Sequence, residues 1–278
     1  MTAPAPEALN ERLRAAGRCD DDALDLLDTA LTLAALDRPR VALERYAAHL
    51  QELAGDLSAA VAGGADIDAV TAALRAVLAG QHDYRGDERT YDDMQNANLM
   101  RVIDRRRGLP VALGILYVGT ARACGWALDG IRFPAHFLLR LELGGERRII
   151  DPFAGGTVLE SDELRSLLKR LMGSAAELAP AHFAVASPRE MLLRLQNNIR
   201  TRAIQAGDME RAATVLQRML LLAPQTAELH RDHAALLANR GEVRAALAAG
   251  ERYRALAATD AQSREAEALL AHLRRRLN

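Results

Sequence analysis

The chain has 278 residues, half of them apolar, and its 36 basic residues face 37 acidic ones, so bulk charge gives no reason to select nucleic acid, an anionic membrane or a polyacidic substrate. Its two cysteines, Cys19 and Cys124, are too few for a disulfide framework and lack metal-site spacing, which points to a reducing cytoplasm. No apolar run reaches membrane-spanning length and the N-terminus lacks the apolar centre of a secretion signal, so neither membrane insertion nor export is expected.

Aromatics are sparse while Ala and Leu abound, which favours helix as the main structural material. The first ten or so residues are rich in Pro and Ala and read as disordered. Asp20, Asp21 and Asp22 complement the dipole at the start of a helix expected from Asp22 to Ala35. Pro39 suits the first turn of a second helix through Ala54, with Val41, Leu43, Tyr46, Leu50 and Leu53 as its core stripe. Gly63 and Gly64 interrupt the pattern, which resumes from Ile67 to Leu78 and completes an antiparallel helical array.

From Gly80 to Met94 the sequence is polar and unpatterned, as expected of a loop or a weakly helical connector on the surface. Leu99, Val102 and Ile103 then recur at helical spacing before Arg105, Arg106 and Arg107, whose charges suit a helix C-terminus with Gly108 just beyond it. In a neutral chain this run, like Arg274 to Arg276, is a weak footprint for nucleic acid, and capping plus a solvated surface is the expected role. Pro110 opens an apolar helix to about Cys124 that buries Val111, Ile115, Leu116 and Val118, with Gly114 and Gly119 permitting close packing and Gly125 ending it.

Ile131 to Phe133 and His136 to Leu143 alternate as strands do, Gly144-Gly145 signals a hairpin, and Arg147 to Asp151 forms the return arm. A turn centred on the glycines sets Leu138 opposite Asp151, so His136 and Asp151 share one face as diagonal neighbours. A histidine beside a carboxylate on rigid strands is the arrangement that fixes an imidazole tautomer for general-base work, and it equally describes a structural hydrogen bond in a packed sheet.

The combination of NANLMRVIDRRRGLPVALGILY, FPAHFLLR and IIDPFAGG, followed by helical repeats, resembles the bacterial SirB-type transglutaminase-like/tetratricopeptide-repeat proteins. That resemblance implies the core shared with papain-type cysteine proteases, in which a Cys at the N-terminus of the central helix attacks an amide and a His and an Asp on successive strands complete the triad. It assigns the His position to His136 and the Asp position to Asp151, and it matches the Gly-x-Cys of the helix start with Gly108-Leu109-Pro110. A helix N-terminus lowers a thiol's pKa, yet proline there has no nucleophilic atom. Cys124 lies about four turns, roughly 20 Å, further along at 1.5 Å per residue and reads as a small buried apolar residue. Tyr117 and Thr120 lack the terminal position, and Ser161 has no evident base.

Ser161, Asp162 and Glu163 open a further helix, and His182 beyond it has no partner at informative spacing. Ala206-Gly207-Asp208 and Asn239-Arg240-Gly241 then correspond at an offset of 34 residues between the glycines, with Pro224 closing the first unit, which resembles tetratricopeptide repeats. Two units from about Met191 to Ala257 are followed by a helix from Ser263 to Leu277.

These observations predict an α+β fold: a helix-rich transglutaminase-like domain with a small antiparallel sheet over residues 10–187, then a helical repeat tail over 188–278. The expected function is a non-catalytic module that binds a protein or peptide partner through the former active-site cleft near Pro110, His136 and Asp151, through the repeats, or through both. The competing reading is an amide hydrolase or acyl-transferase with an unconventional nucleophile. No cofactor-binding and no metal-ligating residue is assigned.

Overall fold

The computed structural model describes residues 3–61 and 63–277. It begins with a helix where disorder was expected: α1 (Pro6–Arg18) has Pro6 in its first turn, where a missing N–H costs nothing, and Leu9 and Leu13, one turn apart, are fully buried. For Met1 and Thr2 the expectation lies outside the described residues. The acidic triplet forms only a short 3₁₀ turn, and α2 (Leu26–Ala35) starts later, because the Asp25 carboxylate accepts the Asp28 N–H at 2.9 Å and caps it there. α3 (Glu44–Ala60) likewise begins beyond Pro39, with Tyr46, Leu50 and Leu53 buried but Val41 and Leu43 left half-exposed in the preceding turn. Asp66 caps α4 (Ile67–Leu74), which runs on as a π-helical segment, Arg75–Gln81.

The polar stretch after it is largely exposed, as expected of a surface segment, but it is anchored to the fold at two buried points. Tyr84 is fully buried and Asp87 is 7% exposed, and β1 (Arg85–Gly86) pairs in parallel with β2 (Arg107–Gly108). Between them α5 (Leu99–Arg105) is capped by Asn98, whose Oδ1 accepts the Arg101 N–H while its amide donates to the Ala34 carbonyl at 3.0 Å. The left-handed residue that ends α5 is Arg106, at φ 57°, rather than Gly108. For a side-chain-bearing residue that conformation costs about 1–2 kcal/mol, and it is held by the Arg106 guanidinium donating to the Tyr84 hydroxyl and to His49. Gly108 serves instead for close approach, since a Cβ there would lie 3.0 Å from Val102.

The arginine run is therefore bonded within the fold, a correction to the solvated surface expected of it. Arg105 reaches Asp87 and Asn96, both at 2.8 Å, and Arg107 reaches Asp83 at 3.1 Å.

α6 (Pro110–Ala123) is buried at every position from Pro110 to Ala121. An added Cβ at Gly114 would overlap the Phe137 ring and one at Gly119 the Leu27 side chain, so both glycines do permit close packing. Next come β3 (Ala127–Ile131), β4 (Leu138–Leu143), β5 (Glu146–Asp151) and β6 (Thr157–Val158), then α7 (Ser161–Met172) and β7 (Val185–Ala186). The five strands form one antiparallel sheet in the order β6-β5-β4-β3-β7. Gly144 and Gly145, both at positive φ, make the β4–β5 turn and set Leu139 opposite Ile150. Leu139 faces α6 at Gly114, while Leu138, Ile131 and Ile149 pack with Leu164 and Leu168 of α7, so the sheet lies between two helical layers.

The remaining elements are α8 (Pro188–Gln205), α9 (Met209–Leu222), α10 (Ala227–Asn239), α11 (Val243–Leu256) and α12 (Asp260–Leu277). Gly207 and Gly241 each take φ near 75–78° between successive helices, which is the structural content of the 34-residue offset. The chain divides into two compact units, one reaching to Leu195 and the other running from Gln196, with Leu13–Arg18 of α1 belonging to the second. Among the described residues no helix is long and apolar enough to cross a membrane.

Candidate functional site

His136 is not in a strand. β4 begins at Leu138, and the residues before it turn through Pro134 and Ala135, the latter at φ 54°, which aims His136 back toward the end of β5. There its Nε2 lies 2.9 Å from Asp151 Oδ2. The other carboxylate oxygen, Oδ1, accepts the backbone N–H groups of Phe153 at 2.8 Å and Ala154 at 3.2 Å. The DPFAGG sequence builds this locally: Pro152 supplies no donor, and the chain bends so that the next two amides point at the aspartate. Both side chains are largely enclosed, at 17% and 11% exposure for His136 and Asp151.

A carboxylate accepts when ionised, so Nε2 is the nitrogen suited to carry the shared proton, and Nδ1 is turned away from Asp151. Among the described residues Nδ1 makes no hydrogen bond. The imidazole is further held by its neighbours. Phe153 stands edge-on to it at 6.5 Å, and Tyr91 packs edge-on to Phe153 at 5.9 Å. Arg194 donates to the His136 carbonyl at 3.0 Å and lies over the Phe137 ring at 5.3 Å. Burial lowers the Arg194 guanidinium from its ordinary value, and the charge interaction with Tyr91 partly offsets this.

Pro110 occupies the first turn of α6 and is buried. The turn has no side-chain cap, and Leu109 before it donates its N–H to the Asn96 carbonyl at 3.0 Å. Gly114, one turn on, seats Phe137, so the first turns of α6 pack against the residue that follows His136. Gly114→Ala should destabilise the fold by about 1–2 kcal/mol, the cost of overpacking less the gain in helix propensity. The His136 ring resonances should shift with it in NMR spectra, and an unchanged imidazole would show that this packing does not position the site.

The other candidate nucleophiles are engaged or misplaced. The Cys124 thiol, half-buried rather than buried, donates to the Ala54 carbonyl at 3.3 Å, and burial pushes its pKa up. Thr120 bonds back to the Leu116 carbonyl, and the buried Tyr117 hydroxyl has its ionisation pushed far up by desolvation and by the charge of Asp151. His182 is not partnerless, since its Nδ1 accepts the Ala179 N–H at 3.2 Å. Among the described residues no group of three or more His, Cys, Asp or Glu could hold a metal ion.

Residues 44–197 match the family profile of the transglutaminase-like superfamily. The chain belongs to that superfamily. Residues 199–271 match the tetratricopeptide repeat, so the superfamily domain is followed by repeat helices. A UPF0162 protein of Xylella fastidiosa (strain Temecula1) is 32% identical over 216 residues, 77% of either chain. One from Vibrio cholerae is 34% identical over 167 residues, 59% of this chain and 62% of that one. A crystal structure of menin overlays 91% of this chain and 70% of its own with a TM-score of 0.41 at 10% identity, too loose a likeness to carry an argument.

Tyr91, Phe153, Asn96 and Arg194 around the His136–Asp151 pair and the start of α6 were not singled out from sequence. Phe153 and Asn96 had local signals, their places in the DPFAGG and NANLM stretches.

Proposed function

We propose that this protein is a non-catalytic module on a transglutaminase-like scaffold that binds a protein or peptide partner. The observation that carries the reading is Pro110. A pyrrolidine stands at the start of α6, where the resemblance puts an attacking thiol, while His136 keeps its carboxylate partner and an unused Nδ1. The tetratricopeptide helices supply a second reason, because stacked helical hairpins present grooves to peptides. The division into a domain over 10–187 and repeats over 188–278 is part of this proposal, as is a reducing cytoplasm, which suits two cysteines that form no disulfide among the described residues.

The intact His136–Asp151 hydrogen bond also favours a second reading, an amide hydrolase or acyl-transferase whose nucleophile comes from elsewhere. One assay separates them. Purified wild-type chain incubated with a glutamine-containing peptide should release no ammonia and transfer no acyl group to an amine, while forming a stoichiometric complex with a partner captured from bacterial lysate. Turnover that disappears in His136→Ala would overturn the non-catalytic reading.

A further inference from the structure

A cleft of about 670 Å³ lies between the helix that runs from α4 into its π-helical end and the segment Ala154–Val158. Its rim carries two arginines. The Arg75 guanidinium has no hydrogen bond or ion pair among the described residues, and Arg85 shares the Asp83 carboxylate with Arg107. Asp68 is the single carboxylate among the lining residues, and Arg148 holds it at 2.9 Å. One wall is the main chain of Gly155 and Gly156, at φ 67° and 80°, where no side chain stands between a ligand and the backbone amides. The Gly155 N–H has no acceptor among the described residues.

Two further observations mark this place. The Tyr117 hydroxyl is buried with no hydrogen-bond partner, and it lies directly beneath the cleft wall, 3.2 Å from where a Cβ on Gly156 would be. An orphaned buried hydroxyl is costly, so the fold carries a penalty that a water bridging it toward a bound ligand would relieve. The π-helical turn from Arg75 to Gln81 is a rare geometry that recurs at functional sites, and it is what sets Arg75, Ala76, Ala79 and Gly80 along the cleft.

We propose that this cleft binds a carboxylate borne on a short aliphatic chain. The guanidinium of Arg75 and the Gly155 amide take the carboxylate, and Ala72, Ala76, Ala79 and Val158 receive the aliphatic part. One free cation and one shared cation match a carboxylate better than a polyphosphate, which needs more charge or a metal ion. The source is either a free organic acid or an acidic side chain of a peptide. The proposal goes beyond the protein-binding reading and does not depend on it: turnover by the wild-type chain would sink that reading and leave the cleft untouched.

The test is a titration of the full chain followed by ¹⁵N–¹H correlation spectra, with glutarate and the doubly blocked peptide acetyl-Ala-Glu-Ala-amide as probes. Either probe at millimolar concentration should shift the Gly155 and Gly156 amides, and Arg75→Ala should weaken binding about tenfold or more, as expected for a lost charge-assisted contact. Arg264→Ala, the same charge change on α12, should leave the affinity unchanged. Shifts with glutarate alone identify a free acid as the source, and shifts with the peptide identify an acidic side chain. Glutaramide, neutral and of the same shape, checks the charge requirement on the unmodified protein. Equal binding of glutaramide and glutarate, an unchanged affinity in Arg75→Ala, or no shift with either probe would overturn the assignment.

Discussion

Arg105→Met should cost the fold about 3 kcal/mol, read as a lowered midpoint in urea with an unchanged slope. Arg105 donates to Asp87 and Asn96, and Asp87 also takes the backbone and hydroxyl of Thr90 at 2.9 and 2.6 Å. Methionine keeps much of the stem and leaves the carboxylate short of its cation. Breaking a buried pair costs about 3–5 kcal/mol, and the low end applies because 29% of the Arg105 side chain remains open to water.

The same pair fixes an acid response. Burial works against ionising Asp87, but the bonds from Thr90, Arg105 and Asn96 outweigh it and hold the carboxyl well below the usual range. A depressed folded-state value means that the unfolded chain binds the proton first. The stability gained from Asp87 is therefore complete above the unfolded value of about 3.9 and is lost as pH falls from there through the folded value. In Arg105→Met that acid loss should shrink. Equal midpoints for variant and wild type at neutral pH would show that the arginine run is dispensable to the fold.

Pro110→Cys should create the most reactive thiol in the chain, alkylated by iodoacetamide about tenfold or more faster than Cys124 at neutral pH. A helix N-terminus lowers a thiol's pKa by one or more units, and each unit multiplies the thiolate fraction by about ten until the group is mostly ionised. Cys124 moves the other way, held in its thiol form by burial. The deciding comparison is Pro110→Cys with and without His136→Ala, because access to the buried helix start is common to both. A rate that falls when His136 is removed shows that Nδ1 reaches the introduced sulfur. Identical rates would show that the imidazole and the helix start do not form one site.

The parts of this fold that were legible in the sequence are those that local chemistry dictates. Pro110 and Gly125 bracket α6, the Gly144-Gly145 pair fixes the β4–β5 register, and the glycines at 207 and 241 mark equivalent left-handed turns. The pairing of His136 with Asp151 followed from that register even though His136 turned out to stand before the strand. What could not be read was how the largely exposed stretch from Gly80 to Met94 is tied to the fold. Its anchoring depends on polar groups that find partners elsewhere: Asp87 is 18 residues from Arg105, and Tyr84 is 22 from Arg106. Hydrophobic periodicity carries no trace of such pairs, so the two buried anchors of a charged segment do not show in the sequence pattern. The same blindness hid α1, whose anchoring rests on two leucines within a segment otherwise rich in Pro, Ala and charge.

The sheet ends on two-residue strands, β6 at one margin and β7 at the other. β6 pairs only with Ile150 and Asp151 of β5, and β7 only with Gly130 and Ile131 of β3, so short outer stretches, residues 146–148 and 127–129, stay open beside them. Each open stretch is three residues long and carries charge, Glu146, Arg147 and Arg148 on one and Asp129 on the other, which discourages a second chain from zipping onto it and lowers the risk of fibrillar association. Strand addition has only these short stretches to read, so recognition on this sheet rests more on side chains and surface shape than on backbone register.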